Sequence, residues 1–189
     1  MNEPYTAQVL PVIVAGDPVV RLASLFDVHY DRLYRLARRL APSADDALDL
    51  VQETFLKAAR FPKSIPEGAT KEEAWLVRVL INIRRDQWRK TSVRDHYDKT
   101  VLDGTHSASG SGNTEAALIA RTAVWQALDA LPPRRRAIVV MYELEGLAIP
   151  AIASLLGISA ITVRWHLSMG RRDLSRALKA YRGESNEKY

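Results

Sequence analysis

The chain has no cysteine among its 189 residues. Disulfides, thiolate metal sites and thiol redox sensing are therefore excluded within it, and a reducing cytoplasm fits the sequence. No apolar run approaches the ~20 residues of a membrane span, so no membrane insertion is expected. The opening stretch, MNEPYTAQVLPVIVAGDPVV, carries an apolar patch from Val9 to Ala15. Pro11 interrupts it and no basic residue precedes Arg21, so it does not read as a signal peptide. The four histidines, His29, His96, His106 and His166, are scattered without ligand spacing, and there is no phosphate loop or nucleophile elbow. Asp45 and Asp49 lie one turn apart, but two carboxylates alone rarely hold a divalent ion, and a solvated or protein-docking face explains them better. No catalytic residue, metal or cofactor is expected, and the chain does not read as an enzyme.

What is present is a 47% apolar composition, enough to build a core for one domain or two small ones. Lys plus Arg exceed Asp plus Glu by 27 to 22, a balance that leans towards a polyanionic partner or serves solubility alone.

Helical periodicity fills most of the chain. Leu22, Leu25, Phe26, Leu33, Leu36 and Leu40 mark one amphipathic helix. Ser43 is a credible N-cap for a second, striped by Ala44, Ala47, Leu48, Val51, Phe55 and Ala59, with Asp46, Asp49 and Glu53 pointing elsewhere. The stretch RFPKSIPEGA reads as a loop, after which Thr70 and Glu73 form a capping-box signature for a third helix reaching about Lys90. That helix begins apolar and ends in Arg84, Arg85, Trp88, Arg89 and Lys90, cations around an aromatic, as on a single-stranded nucleic-acid platform. From Thr91 to Asn113 the apolar period is lost and the chain ends rich in Ser and Gly, the composition of a flexible tether. Helical pattern resumes with Ala117, Leu118, Arg121, Trp125 and Leu128, stops at Pro132-Pro133, and continues through Ile138, Val139, Tyr142 and Leu144 to Gly146, a C-cap.

A short helix around Ile149 to Leu155, a turn at Leu156-Gly157-Ile158 and a longer helix capped by Ser159 have the spacing of a helix-turn-helix. Val163, Leu167 and Leu174 face the block. Ala160, Ile161, Arg164, Trp165, Ser168, Arg171 and Arg172 are left on the other side, where cations neutralise phosphates and small, hydroxyl and aromatic groups meet base edges. A solvated cationic face is the bland alternative. Trp165 is open between a base or sugar contact, a partner anchor and a core residue. Arg134-Arg135-Arg136 sits at a helix start, unfavourable for the helix dipole, and is explained by an external anion or by a charged loop.

These segments, DALDLVQETFLKA followed by AWLVRVLINIRRDQWRK, then ALDALPPRRRAIVVMYELEGL with IASLLGISAITVRWHLSMGRRDL, resemble the σ2 and σ4 domains of sigma factors. The two-domain layout is similar to the extracytoplasmic-function (ECF) group of the sigma-70 family. The resemblance implies an all-α fold of two small helical domains joined by a flexible linker. The expected division is an N-terminal extension 1–21, a σ2-like domain 22–90, a linker 91–113, a σ4-like helix-turn-helix domain 114–182 and a tail 183–189. It implies that Asp46, Asp49, Leu50, Gln52 and Glu53 dock on core RNA polymerase. Asn82, Arg85, Trp88, Arg89 and Lys90 would contact the −10 element, with the loop at 61–70 near the site where an unstacked base is captured. Ser159, Thr162, Arg164, Trp165, Ser168, Arg171 and Arg172 would read the −35 duplex. The implied partners are core RNA polymerase, promoter DNA and an anti-sigma protein, and the implied location is the cytoplasm.

The chain departs from the family pattern at its N-terminal extension, which has no counterpart there, and in two further places. The first helix of the turn motif begins Ala148-Ile149-Pro150-Ala151, without the usual serine cap and acidic first turn, and Trp165 stands where a small or polar residue is usual. An ordinary helix-turn-helix regulator would account for residues 147–172, but not for the acidic-aliphatic helix or the Trp88 cluster. A sigma mimic that titrates an anti-sigma protein would not need Arg164, Arg171 and Arg172.

Overall fold

The computed structural model describes residues 18–97 and 115–186, and every regular element among them is helical. The N-terminal block holds α1 (Pro18–Leu40), α2 (Ala44–Arg60), a 3-10 turn (Pro62–Ser64) and α3 (Ala69–Tyr97). The C-terminal block holds α4 (Glu115–Asp129), α5 (Pro133–Val139) running into a π turn (Val140–Leu144), α6 (Ile149–Leu156) and α7 (Ala160–Asn186). Helix α3 continues seven residues past its expected end at Lys90. The rest of the expected tether, like most of the N-terminal extension, lies outside the described residues.

Each boundary has a local cause. The Ser43 hydroxyl accepts the Asp46 amide at 3.0 Å and donates to the Asp46 carboxylate at 2.6 Å, a reciprocal cap for α2. The expected capping box at Thr70 and Glu73 does not form. Helix α3 starts at Ala69, so Thr70 is already inside it. Gly68, at φ 101°, supplies the carbonyl that accepts the Glu72 amide at 2.9 Å. Glu73 is thereby free to pair with Arg32, 3.2 Å away.

Helix α1 buries Leu25, Leu33, Leu36 and Leu40 on one stripe, packed against Leu50, Val51 and Phe55 of α2 and Leu76, Val77 and Leu80 of α3. In the C-terminal block α5 and α7 cross closely at Gly170. A Cβ there would lie 2.5 Å from Val139 Cγ2, so only hydrogen fits.

The two blocks rest against each other. Arg78 Nη1 donates to the Leu155 carbonyl at 3.4 Å, and Arg136 Nε to the Arg39 carbonyl at 2.7 Å. Glu145 of the C-terminal block takes Arg32 at 2.7 Å and Arg39 at 3.1 Å, both from α1. Apolar residues of both blocks form one continuous buried cluster, and a cleft of about 550 Å³ opens beside Glu145.

Candidate polymerase and nucleic-acid interfaces

Helix α2 turns one face outward. Asp46, Asp49, Gln52 and Glu53 are exposed on it. Leu50, expected among the docking residues, is 0% exposed and packs in the core, so it holds the helix in place instead of meeting a partner. The i, i+4 geometry explains this, because Leu50 shares its face with the buried Thr54 and sits opposite Gln52. The Thr54 hydroxyl donates to the Leu50 carbonyl at 2.8 Å. The expectation missed Leu56, 55% exposed and one turn beyond Gln52 and Glu53, which adds an apolar side chain to the acidic face. Nothing in its type separates it from a core leucine; its register, three residues after Glu53, was the available signal.

The cationic end of α3 is mixed. Asn82, Arg89 and Lys90 are exposed, and Trp88 is half-buried. Arg85 lies 3.6 Å from Asp86. Arg84 turns inward, and its Nε donates to the Leu40 carbonyl at 3.0 Å. Burial, and secondarily the charge of Arg136, pushes its pKa below the usual arginine value, while Asp129 pulls it back up. Beside this helix the loop at 61–70 is tied down by Arg21, whose Nη2 donates to the carbonyls of Ile65 at 3.0 Å and Pro66 at 3.3 Å. Phe61 stands 58% exposed at its start.

The turn motif forms as the sequence predicts. Gly157 adopts φ 65°, the Ile158 amide donates to the Ala153 carbonyl at 3.0 Å and the Gly157 amide to Ser154 at 3.3 Å. This closes α6 with a left-handed glycine. The axes of α6 and α7 then turn through 107°. Ala148 precedes α6 without a side-chain cap, and Pro150 occupies its first turn, where a missing N–H costs nothing. The Ser159 hydroxyl accepts the Thr162 amide at 3.1 Å and lies 2.8 Å from the Thr162 hydroxyl, starting α7.

Val163 and Leu167 of α7 are buried, with Leu174 partly so. The opposite face exposes Ile161, Arg164, Trp165, Ser168, Arg171 and Arg172. Trp165 is 53% exposed, which removes the core placement left open above. Its ring lies beneath the Arg135 guanidinium, 5.7 Å from the centroid, with the His166 ring edge-on at 4.9 Å. Arg171 is exposed but engaged, with Nη2 2.7 Å and Nε 2.8 Å from Glu143 Oε1, and stacks over Tyr142 at 5.4 Å.

The arginine run 134–136 does not await an external anion at two of its three positions. Arg135 pairs with Asp173 and Arg136 with Asp129. Arg136 is 2% exposed and also stacks on Trp125, 5.9 Å from the centroid. The unfavourable charge at the helix start is thus offset by acids from α4 and α7. Among the described residues no cluster of three or more His, Asp or Glu is placed to hold a metal ion, and no single helix is long and apolar enough to cross a membrane.

Comparison with known proteins agrees with this layout. The family models Sigma-70 region 2 and Sigma-70, region 4 match residues 25–94 and 121–174. The chain is 32% identical to the ECF RNA polymerase sigma factor SigM of Mycobacterium tuberculosis, covering 94% of this chain and 86% of that protein. It is 32% identical to the ECF sigma factor SigE of Mycolicibacterium smegmatis over 83% of this chain, but spans only 61% of that longer protein. In fold it resembles the sigma factor RpoE from Bartonella quintana, solved with the anti-sigma factor NepR, at a TM-score of 0.59 and 23% identity, covering 87% of this chain and 98% of that one. With both sigma-70 regions matched in order over the two helical blocks, this chain belongs to the ECF group of sigma-70 family RNA polymerase sigma factors.

Proposed function

We propose that the outward face of α2 is the polymerase-docking surface of this alternative sigma factor, and that α3 and α7 are its two promoter readers. An alternative sigma factor binds core RNA polymerase and directs initiation at its own promoters. The observation that carries the assignment of surfaces is the coexistence, in one chain, of an exposed acidic-aliphatic helix face and a cationic helix-turn-helix. A DNA-binding regulator without polymerase needs only the second. Asp46, Asp49, Gln52, Glu53 and Leu56 form the docking face. Asn82, Arg85, Trp88, Arg89 and Lys90 serve the −10 element, and Ser159, Thr162, Arg164, Trp165, Ser168, Arg171 and Arg172 serve the −35 duplex. Residues 22–90 and 114–182 bound the two domains. The chain acts by recruitment and not by catalysis, in the cytoplasm where the polymerase works. An anti-sigma protein is its expected regulator, as in the Bartonella quintana complex.

Size adds a mechanistic requirement. The −10 and −35 elements are centred roughly 25 base pairs apart, about 85 Å at ~3.4 Å per pair. A compact chain of this length has a radius of gyration of about 16 Å. Contacts such as Arg78 to Leu155 and Glu145 to Arg32 and Arg39 join the blocks in one compact body, so reading both elements requires the blocks to part.

The test is transcription by sigma-free bacterial core polymerase, with and without the chain, on a library of upstream regions, together with comigration on a sizing column. Specific initiation with comigration is the expected result. Duplex binding without comigration or initiation would give the protein to the regulator class. Asp49→Lys is expected to impair comigration with core while leaving helix content intact, and equal core affinity would remove the α2 face from the docking surface.

A further inference from the structure

We infer that Ile161 and Trp165 form an apolar reading pair that selects thymine, through its 5-methyl group, in the duplex element bound by α7; this rests on α7 being the DNA-reading helix.

Ile161 is 76% exposed and Trp165 53% exposed, and they stand four residues apart, hence on one face. Both lie in the first two turns of α7, the end that a helix-turn-helix presents to the major groove. Arg164 and Ser168 are exposed beside them, and Arg172 one turn further on. Two large apolar side chains among cations keep their contact with water unless an apolar surface arrives with a polyanion. The major groove supplies that combination. Base edges there present donors and acceptors, and the thymine methyl is the apolar group among them.

The tryptophan is also preset. Arg135 covers one face of its ring, and Arg135 is itself held by Asp173, about two turns further along α7. The Arg135 side chain runs past Gly170, where a Cβ would stand 3.2 Å from its Cγ, so the missing side chain leaves room for it. A ring already oriented loses less freedom on binding than a mobile one. Arg135 is therefore a positioning residue for Trp165. The charge around the pair favours DNA over a protein groove, because Asp173, the acid of this helix nearest the pair, is engaged by Arg135 and Arg176.

The experiment uses holoenzyme reconstituted from the full chain and sigma-free core. A duplex −35 element is selected from a randomised library. Each thymine is then replaced by deoxyuridine, which keeps the base pair and removes the methyl, and affinity is read by fluorescence anisotropy at one fixed salt concentration. Loss of a buried methyl at a contacted position is expected to weaken wild-type binding about fourfold. In Ile161→Ala and Trp165→Ala the thymine and deoxyuridine duplexes should bind equally. Arg135→Gln should reduce the thymine preference without removing overall duplex affinity. Equal wild-type affinity for both duplexes, with Arg164→Ala still weakening binding, would overturn the pair while leaving α7 as the reader. Insensitivity to both the methyl and Arg164→Ala would overturn the reading of α7, and the pair with it. Unchanged discrimination in Trp165→Ala together with loss of binding to a protein partner would overturn the assignment in favour of a partner anchor.

Discussion

Arg134-Arg135-Arg136 and Arg171-Arg172 are both short arginine runs on helices of the C-terminal block, and they do opposite things. The first run turns its last two members inward, onto Asp173, Asp129 and the Arg39 carbonyl. The second stays at the surface, with Arg171 on the exposed Glu143 and over the Tyr142 ring, and Arg172 exposed. The difference is set by what the neighbouring helices bring. Asp129 ends α4 beside the first run and the N-terminal block closes over it, whereas among the described residues no helix packs over the exposed face of α7 that carries Arg164, Ser168 and Arg172. A cationic run therefore announces an anion without saying whether the anion is a carboxylate of the same chain or a phosphate.

The strongest way to break this comparison is at Arg136. Removing a guanidinium that is 2% exposed takes the Arg136 donor away from Asp129 and from the Arg39 carbonyl. Arg136→Ala should cost about 3 kcal/mol, a fall of roughly 6–12 °C in melting temperature for a chain of this size. An unchanged denaturant midpoint would return the first run to the class of free surface charge. Gly170→Ala tests the close crossing that holds Arg135 in place. In an open helix the change gains about 1 kcal/mol. Here the new Cβ meets Val139, itself buried, and a loss of about 1–3 kcal/mol is expected in urea unfolding. Partial recovery in the Gly170→Ala, Val139→Ala double variant would locate the clash, and a net gain in the single variant would show that the helices can part.

The outward run should respond in the other assay. Arg164→Ala should weaken duplex binding by ~1–3 kcal/mol if its guanidinium makes a bidentate base contact, with no change in melting temperature. Arg171→Ala should weaken it less, because the free protein already holds that guanidinium on Glu143 and must release it before it can reach a phosphate. Equal losses would show that the Glu143 pair imposes no cost.

The same contrast explains how far the sequence could be read. The helices, the tight turn at Gly157 and the family were legible because each rests on local periodicity, on a glycine with positive φ or on a motif of contiguous residues. So was the exposed face of α7, since Val163 and Leu167 fix its register. The family resemblance places Leu50 among the docking residues because the motif carries it among acids, while its place one turn from Thr54 buries it. The box at Thr70 and Glu73 looked sound locally, but Gly68 provides an earlier start and Arg32 of α1 claims Glu73. The hydrogen bonds of Arg84 to the Leu40 carbonyl and of Arg136 to the Arg39 carbonyl, and the contact of the two blocks through Glu145, join residues 44 to 113 positions apart in the chain. No window of sequence holds both members of such a pair.

His166 offers the finest test, because it lies between the two runs. Its ring is partly buried, and burial first, then the charges of Arg134 and Arg135, push its pKa below the ordinary value of 6.5. The folded chain therefore binds this proton less readily than the unfolded one. Stability contributed here is complete above the unfolded value and falls as pH drops below it, until the folded ring also takes its proton. The effect is small, since water still reaches the ring. His166→Gln should flatten the stability profile just below pH 6.5, measured as urea midpoints across that range. Because Arg135 is one of the charges that lower the pKa, Arg135→Gln should flatten it part of the way. A slope unchanged in both variants would mean that the inward run does not act on the reading helix through this ring.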